Sequence, residues 1–376
     1  MKLVKIISAH VILCACFLLP VSAKKSKPID RKATPETVAL FQNLMKLSEN
    51  HTLFGHQNST EYGRGWSGDE NRSDVKSVCG SHPAVTGVDV SGLSGGPFEA
   101  IEKEKASLKK TVVDMYNRGG VTTVAWHFNN PVSEGGFYWK DGVSKPAVKY
   151  LIPGGEAHEK YKEILKNIGD WANSLKGADG KLAPVIFRPY HEFDGGWFWW
   201  GKPHCTTEEF VALWQFTVTY LRDSLDVHNF IYAFSPDNKF TTEEAFLERY
   251  PGNNWVDMVG MDNYGDMGRD KYDLDIAAKK LKIISDFALK SGKLAAFTET
   301  GLESIPNPEW WTGTLQRVMQ MYPMNLCYVL VWRNDMRSPT HYYAPVPGHT
   351  SVLDFMKFYD DPYTLFLNDL KNIYQK

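Results

Sequence analysis

Glu192 and Glu299 each follow a short apolar run directly, in Phe187-Arg188-Pro189-Tyr190-His191-Glu192 and in Phe297-Thr298-Glu299. Two carboxyl groups brought together from distant parts of a chain can hydrolyse a glycosidic bond. One must be protonated near neutral pH to donate to the leaving oxygen, and the other must be ionised to attack the anomeric carbon. A retaining enzyme of this kind holds the two groups roughly 5–5.5 Å apart. Arg188 can keep a neighbouring carboxylate ionised, because a nearby cation favours the charged form. Tyr264 can donate a hydrogen bond to the nucleophile and orient it. Asp262 and Glu303 compete for the nucleophile's role, although Asp262 has the shorter reach and Glu303 lies beyond its strand end. The plain alternative is that these are solvated charges at strand ends.

The elements that must position these groups are eight short apolar runs, each ending in polar or small residues. They are Thr52–His56, Ala84–Val90, Val121–His127, Ala183–Arg188, Phe230–Phe234, Asp257–Met261, Leu294–Thr298 and Leu326–Trp332. Helical spacing separates them. Tyr161, Ile164, Leu165, Ile168, Trp171 and Leu175 recur with a period of 3.6, as do Ala277, Leu281, Ile284 and Ala288 before a stop at Gly292. A third helix runs through Ile101, Leu108, Val112 and Met115 to a stop at Gly119, and Thr206-x-x-Glu209 reads as a capping box opening a fourth. Strands alternating with helices predict an α/β fold, a (β/α)8 TIM barrel forming a single domain over residues 34–376. An open doubly wound sheet competes, but no glycine-rich phosphate loop follows an early strand. In a barrel, residues at the strand ends share one mouth. That places His56, His127, Arg188, His191, Glu192, Phe234, Asp262, Tyr264, Glu299, Trp332 and Arg333 around a common site. Strands 4 and 7 lie on opposite sides of that mouth, so Glu192 and Glu299 can flank one bond.

Composition narrows the ligand. The 376 residues carry a formal charge of −2, which gives no basic excess for nucleic acid. Aromatic residues make up 13%, with 12 Trp; some must be core, and any clustered beside polar motifs would suit stacking on the flat faces of sugar rings. Residues 1–23 read as a signal peptide: Lys2 and Lys5, an apolar stretch from Ile6 to Leu19, and a Val21-Ser22-Ala23 cleavage site. The expected location is secreted or periplasmic. Leu13-Cys14-Ala15-Cys16 weakly resembles a lipoprotein signal, but the apolar residues after Cys16 argue against lipidation. Residues 24–33 read as a short polar linker, expected to be disordered. No later run predicts an integral membrane span. Cys79, Cys205 and Cys327 are an odd, widely spaced set, expected as buried thiols rather than a disulfide framework. No spacing predicts a structural metal site, no cofactor is expected, and a monomer is the default.

The segment Phe187–Gly201, FRPYHEFDGGWFWWG, resembles glycoside hydrolase family 26, whose pattern is Arg-Pro-x-His-Glu with a tryptophan a few residues on, here Trp197. The likeness extends in order through Trp126-His127 with Pro131, Asp262-x-Tyr264, Thr298-Glu299 and Trp332-Arg333. It implies an acid/base at Glu192 and a nucleophile at Glu299. It also implies that His191 contacts the sugar on the nucleophile side, that Tyr264 bonds Glu299, and that Trp332 stacks on the sugar at the cleavage point. Arg333, and His127 with Trp139, would hold the next sugars, and Phe234 and Asp262 would complete the site. The implied activity is hydrolysis of β-1,4-mannosidic bonds in mannan, glucomannan or galactomannan. The same chemistry on β-1,3-xylan or mixed-linkage glucan, or release of mannobiose from chain ends, is the near alternative. A non-catalytic sugar-binding barrel would have lost one of the glutamates. A metallohydrolase would need its strand-end histidines clustered with a carboxylate around one ion.

Overall fold

The computed structural model describes residues 27–375; the expected signal peptide lies outside the described residues. All eight expected runs are strands, their ends displaced by at most two residues: β1 (Thr52–Gln57), β2 (Val85–Asp89), β3 (Val121–Trp126), β4 (Val185–Pro189), β5 (Phe230–Phe234), β6 (Met258–Asp262), β7 (Leu294–Thr300) and β8 (Tyr328–Val331). Each pairs in parallel with the next, and β8 returns to β1 through Leu53 to His56 against Tyr328 to Val331. This closure excludes the open sheet.

The strands close because their side chains serve two layers. Leu53, Val85, Val121, Ile186, Ile231, Met258, Leu294 and Tyr328 gather into an inner cluster, which Leu40, Phe41 and Leu44 of the first helix, Pro35–Leu47, join. Residues of the opposite parity, such as Phe54, Val88, Val124 and Phe187, pack outward against the helices. The expected helices are present. His158–Asn173 buries the predicted face, Thr206 and Glu209 form the reciprocal capping box, and Gly292 ends Leu274–Ser291 with φ +67°. A left-handed residue at that point favours glycine, which has no Cβ to clash.

Residues 27–33, expected as a disordered linker, are folded onto the barrel. The Ile29 N–H donates to Asp257 Oδ1 at 2.6 Å, and His228 Nδ1 meets Asp30 Oδ2 at 2.7 Å. Ile29 and Asp30 supply the anchors that a count of basic residues overlooks. Cys79, Cys205 and Cys327, the cysteines among the described residues, are free thiols. No described helix is long and apolar enough to cross a membrane.

Two irregularities aim the catalytic candidates. Between β6 and β7 the register advances from Met261–Phe297 to Asp262–Glu299, so β7 carries an extra residue at Thr298. Such a bulge bends the strand and re-aims the next side chain. After β4, Tyr190 and Glu192 both adopt left-handed backbone conformations, with φ +52° and +54°. Bulky non-glycine residues adopt this conformation uncommonly, and such strained positions cluster at active sites.

Candidate active site

Glu192 and Glu299 line one pocket of about 390 Å3 at the C-terminal ends of the strands, together with His127, His191, Trp197, Tyr264 and Trp332. Their environments are opposite. Glu299 is nearly sealed, with 4% of its surface exposed. It accepts a hydrogen bond from Arg188 Nη2 on one oxygen and from the Tyr264 hydroxyl, at 3.0 Å, on the other. Arg188 is itself buried and also donates through Nη1 to Asp262 Oδ2 at 2.8 Å and to Ser235 Oγ at 3.1 Å. Burial disfavours the Arg188 charge, but Asp262 and Glu299 more than offset it, so the cation is held firmly. Charge-assisted hydrogen bonds from a fixed cation favour the ionised carboxylate. Thr298, the bulge residue, donates to Asp262 Oδ1 at 2.7 Å and completes the cluster.

Glu192 forms no ion pair among the described residues, unlike Glu299. Burial pushes its carboxyl well above the usual carboxylate range, and the nearby charges of Asp262, Glu299 and Asp237 push it further. The Trp197 indole N–H, donated to Oε2 at 2.6 Å, works in the other direction, as does the positive charge of Arg269 on the pocket wall. One carboxyl is thus kept as an acid while the other is held by a buried guanidinium and a tyrosine hydroxyl, the division of labour that two-carboxylate hydrolysis needs.

The histidines divide in the same manner. His191 is buried beneath the pocket and stays neutral, its pKa driven well below the ordinary value by burial, Arg188 and His127. Its ring meets that of His127 edge-on at 4.7 Å. Burial alone would lower His127 too, but Asp89 bonds its Nδ1 and raises it on balance. Asp89 is a site residue the sequence reading missed. It ends β2 in the way the other candidates end their strands, which is the signal that marks it.

Besides Arg188, four expected site residues line neither the pocket nor its adjoining arm. Phe234 is fully buried between Phe193 and Trp214 in the core. Trp139 stacks on His204 with ring centroids 3.7 Å apart, while its neighbours Phe137 and Tyr138 face the cleft. Asp262 is sealed under Arg188 and acts through it, without reaching the cavity. His56 lies buried below the mouth, its pKa lowered to about 4 by burial against a smaller opposing pull from Asp74. Trp332 and Arg333 line an adjoining arm of about 750 Å3, where Arg333 pairs with Asp335 at 2.6 Å. The loops after β3 and β8 wall the site through Tyr138, His341 and Tyr343. Glu303 is not among the lining residues and instead meets His341 Nδ1 at 3.1 Å, which removes it as a rival nucleophile.

Ligand atoms of His191, Asp262 and Glu299 come within 4.8 Å of one another. The Arg188 guanidinium, however, bridges both carboxylates. The positive charge a metal would supply is already present, so the cluster does not fit an ion.

Comparison with known proteins agrees with this geometry. The model of glycosyl hydrolase family 26 matches residues 29–335. A mannan endo-1,4-beta-mannosidase of Bifidobacterium adolescentis is 35% identical over 281 residues, covering 72% of this chain but only 27% of that longer protein. Among solved structures, a GH26 beta-mannanase from Bacteroides ovatus is 43% identical with a TM-score of 0.85, covering 91% of this chain and 98% of that one. GH26C from Muricauda sp. MAR_2010_75 is 38% identical with a TM-score of 0.86, covering 93% and 96%. The chain is a glycoside hydrolase and belongs to glycosyl hydrolase family 26.

Proposed function

We propose that this enzyme is a retaining, endo-acting β-1,4-mannanase, with Glu192 as acid/base and Glu299 as nucleophile. The observation that carries the reading is the asymmetry of the two carboxyls: Glu299 clamped by Arg188 and Tyr264, Glu192 raised by burial among like charges. In the first step Glu192 protonates the glycosidic oxygen as a Glu299 oxygen attacks the anomeric carbon, forming a covalent glycosyl-enzyme. In the second, Glu192 takes a proton from water as that water attacks the same carbon, and Glu299 leaves. Trp332 offers a flat face beside the reacting sugar. The arm continuing past Trp332 and Arg333 supports action within chains, since several sugars can lie along it. The relatives named for mannan support the substrate. Export through residues 1–23 belongs to this reading, because the polymer is too large to enter a cell.

The test is a product profile over time on linear mannan, galactomannan, xylan and mixed-linkage glucan, together with proton NMR of the first-formed anomer. Mixed mannooligosaccharides released early, with retained configuration, are expected. Preferential release of mannobiose, hydrolysis of xylan instead, or inverted configuration would each overturn the corresponding part. Glu299→Ala should abolish turnover while leaving polymer binding intact. Glu192→Ala should slow hydrolysis roughly 10²–10⁴-fold and spare substrates with good leaving groups in the first step.

A further inference from the structure

Helix Leu274–Ser291 packs on β6 and β7 through a face of Ala277, Leu281, Ile284 and Ala288, yet Lys280 is buried with them. Lys280 is 6% exposed, and its ammonium donates to Asp266 Oδ2 at 2.7 Å; Asp266 is 4% exposed. Neither charge takes part in the reaction at Glu192 and Glu299. The exposed Lys271 approaches Asp266 Oδ1 only at 3.7 Å and pairs more closely with Asp273, at 2.9 Å. Burying two charges costs desolvation that their attraction roughly offsets, so an apolar pair of similar volume is often as stable. Stability therefore gives little reason for this pair, and its geometry gives a better one.

Asp266 closes the turn that carries Tyr264. Its N–H donates to Asn263 Oδ1 at 3.1 Å, and Asn263 Nδ2 donates back to Asp266 Oδ2 at 3.0 Å. Asn238 Nδ2, from the loop after β5, donates to the same Asn263 oxygen at 2.7 Å. The backbone of Asn263 is tied to the nucleophile's strand: its N–H donates to Glu299 O at 2.9 Å, and Thr300 Oγ1 donates to Asn263 O at 2.8 Å. Asn263 and Thr300 are fully buried. Tyr264 stands inside this closed turn, and its hydroxyl reaches Glu299 Oε2. Lys280 and Asn263 thus share one acceptor, Asp266 Oδ2, and a buried polar network whose members are satisfied is held rigid.

We infer that Lys280 and Asp266 are positioning residues, a buried ion pair between the barrel and its helix layer that fixes the Asn263–Asp266 turn so that Tyr264 donates to Glu299. The inference rests on Glu299 being the nucleophile. No hydrogen bond joins Lys280 to Tyr264 directly among the described residues, so the pair acts through the turn. Without the ammonium, the Asp266 carboxylate is left buried and uncompensated. The turn then rearranges to hydrate it, and the Tyr264 hydroxyl moves off Glu299.

The experiment is a double-variant cycle on kcat/KM for an aryl mannobioside with a good leaving group, which reports the attack by Glu299. It compares wild type, Lys280→Met, Tyr264→Phe and the double variant at a temperature where circular dichroism shows all four folded. Misplacement by about 1 Å can cost 10²-fold in rate, so Lys280→Met should lose roughly 10–100-fold. The double variant should lose no more than about twofold beyond Tyr264→Phe alone, because the phenyl ring has no hydroxyl left to misplace. Losses at independent sites multiply to within about twofold. A double variant showing the product of the two single losses therefore assigns Lys280 to the fold and overturns the inference. Wild-type kcat/KM in either single variant overturns it too, and each of these results leaves the mannanase reading intact. A wild type that cleaves no mannoside overturns both. If Lys280→Met does not fold, Lys280→Met with Asp266→Asn, which leaves no buried charge unpaired, takes its place in the cycle and decides by the same comparison.

Discussion

Arg188 joins Asp262 to Glu299, giving one guanidinium nitrogen to each carboxylate in a cluster almost entirely closed to water. Removing one member of a buried ion network leaves uncompensated charges, at a cost of about 3–5 kcal/mol. Arg188→Met should therefore lower stability by that order and abolish turnover even at temperatures where the variant remains folded. Arg188→Lys keeps the charge but cannot reach both carboxylates with its single ammonium. It should recover stability more than activity. Chemical denaturation beside kcat, measured well below the melting temperature, checks this. Equal recovery of both would mean that Arg188 serves only the fold.

The pH profile should report Glu192. A raised pKa keeps the acid protonated, and therefore active, up to that pKa, so activity is lost on the alkaline side. The Trp197 N–H favours the carboxylate form, whereas the Asp237 charge disfavours it. Trp197→Phe should therefore move the alkaline limb of kcat/KM to higher pH, and Asp237→Asn should move it to lower pH. Asp237 is itself raised to about 6 by burial and Asp194, so its effect develops only above that pH. Shifts of the same sign in both variants would contradict Glu192 as the titrating acid.

The barrel was legible because each strand is an apolar run bounded by polar residues and each main helix has a clear period or cap. Strand-end position was enough to find Glu192, Glu299, His127, His191 and Tyr264. It failed where a strand end does not show which way a side chain points. Phe234 ends β5 but turns into the helix layer, because Phe193 and Trp214 offer it an apolar seat. In Phe137-Tyr138-Trp139 the backbone bond from Trp139 N to Trp197 O turns the indole away from the cleft toward His204. Asp89 escaped notice because its role comes from bonding His127 Nδ1, a pairing between two strand ends that no local spacing reveals.

Acid stability should be governed by neutral histidines. Folding depresses the pKa of His56 and of His82 to about 4, chiefly by burial. A folded pKa below the unfolded value of about 6.5 means that the unfolded chain binds protons first. Their contribution is therefore complete above pH 6.5 and is lost progressively as pH falls toward 4. Unfolding free energy measured across that window should decline steeply. His82→Asn, at a site remote from Glu299, should flatten the decline; an unaltered slope would assign the acid sensitivity to other groups.

Tyr190 offers the sharpest test of how the acid is aimed. Its hydroxyl lies in a buried network with Tyr161 and Thr217, whose own hydroxyl donates to Leu213 O at 2.6 Å. The Glu192 N–H is fixed to Ser235 O at 3.0 Å, and the Trp200 indole holds His191 O at 2.8 Å. Those three anchors keep Tyr190 and Glu192 in left-handed conformations that cost about 1–3 kcal/mol each. Tyr190→Phe removes one anchor without adding bulk, so the turn can relax and the carboxyl can drift from the glycosidic oxygen. Misplacement by about 1 Å can cost 10²-fold in rate. The variant should lose kcat on mannan by at least tenfold with little change in KM. It should retain more of its rate on an aryl mannoside whose leaving group needs no proton. A merely structural role would lower both substrates alike, so the ratio of the two rates separates aim from stability.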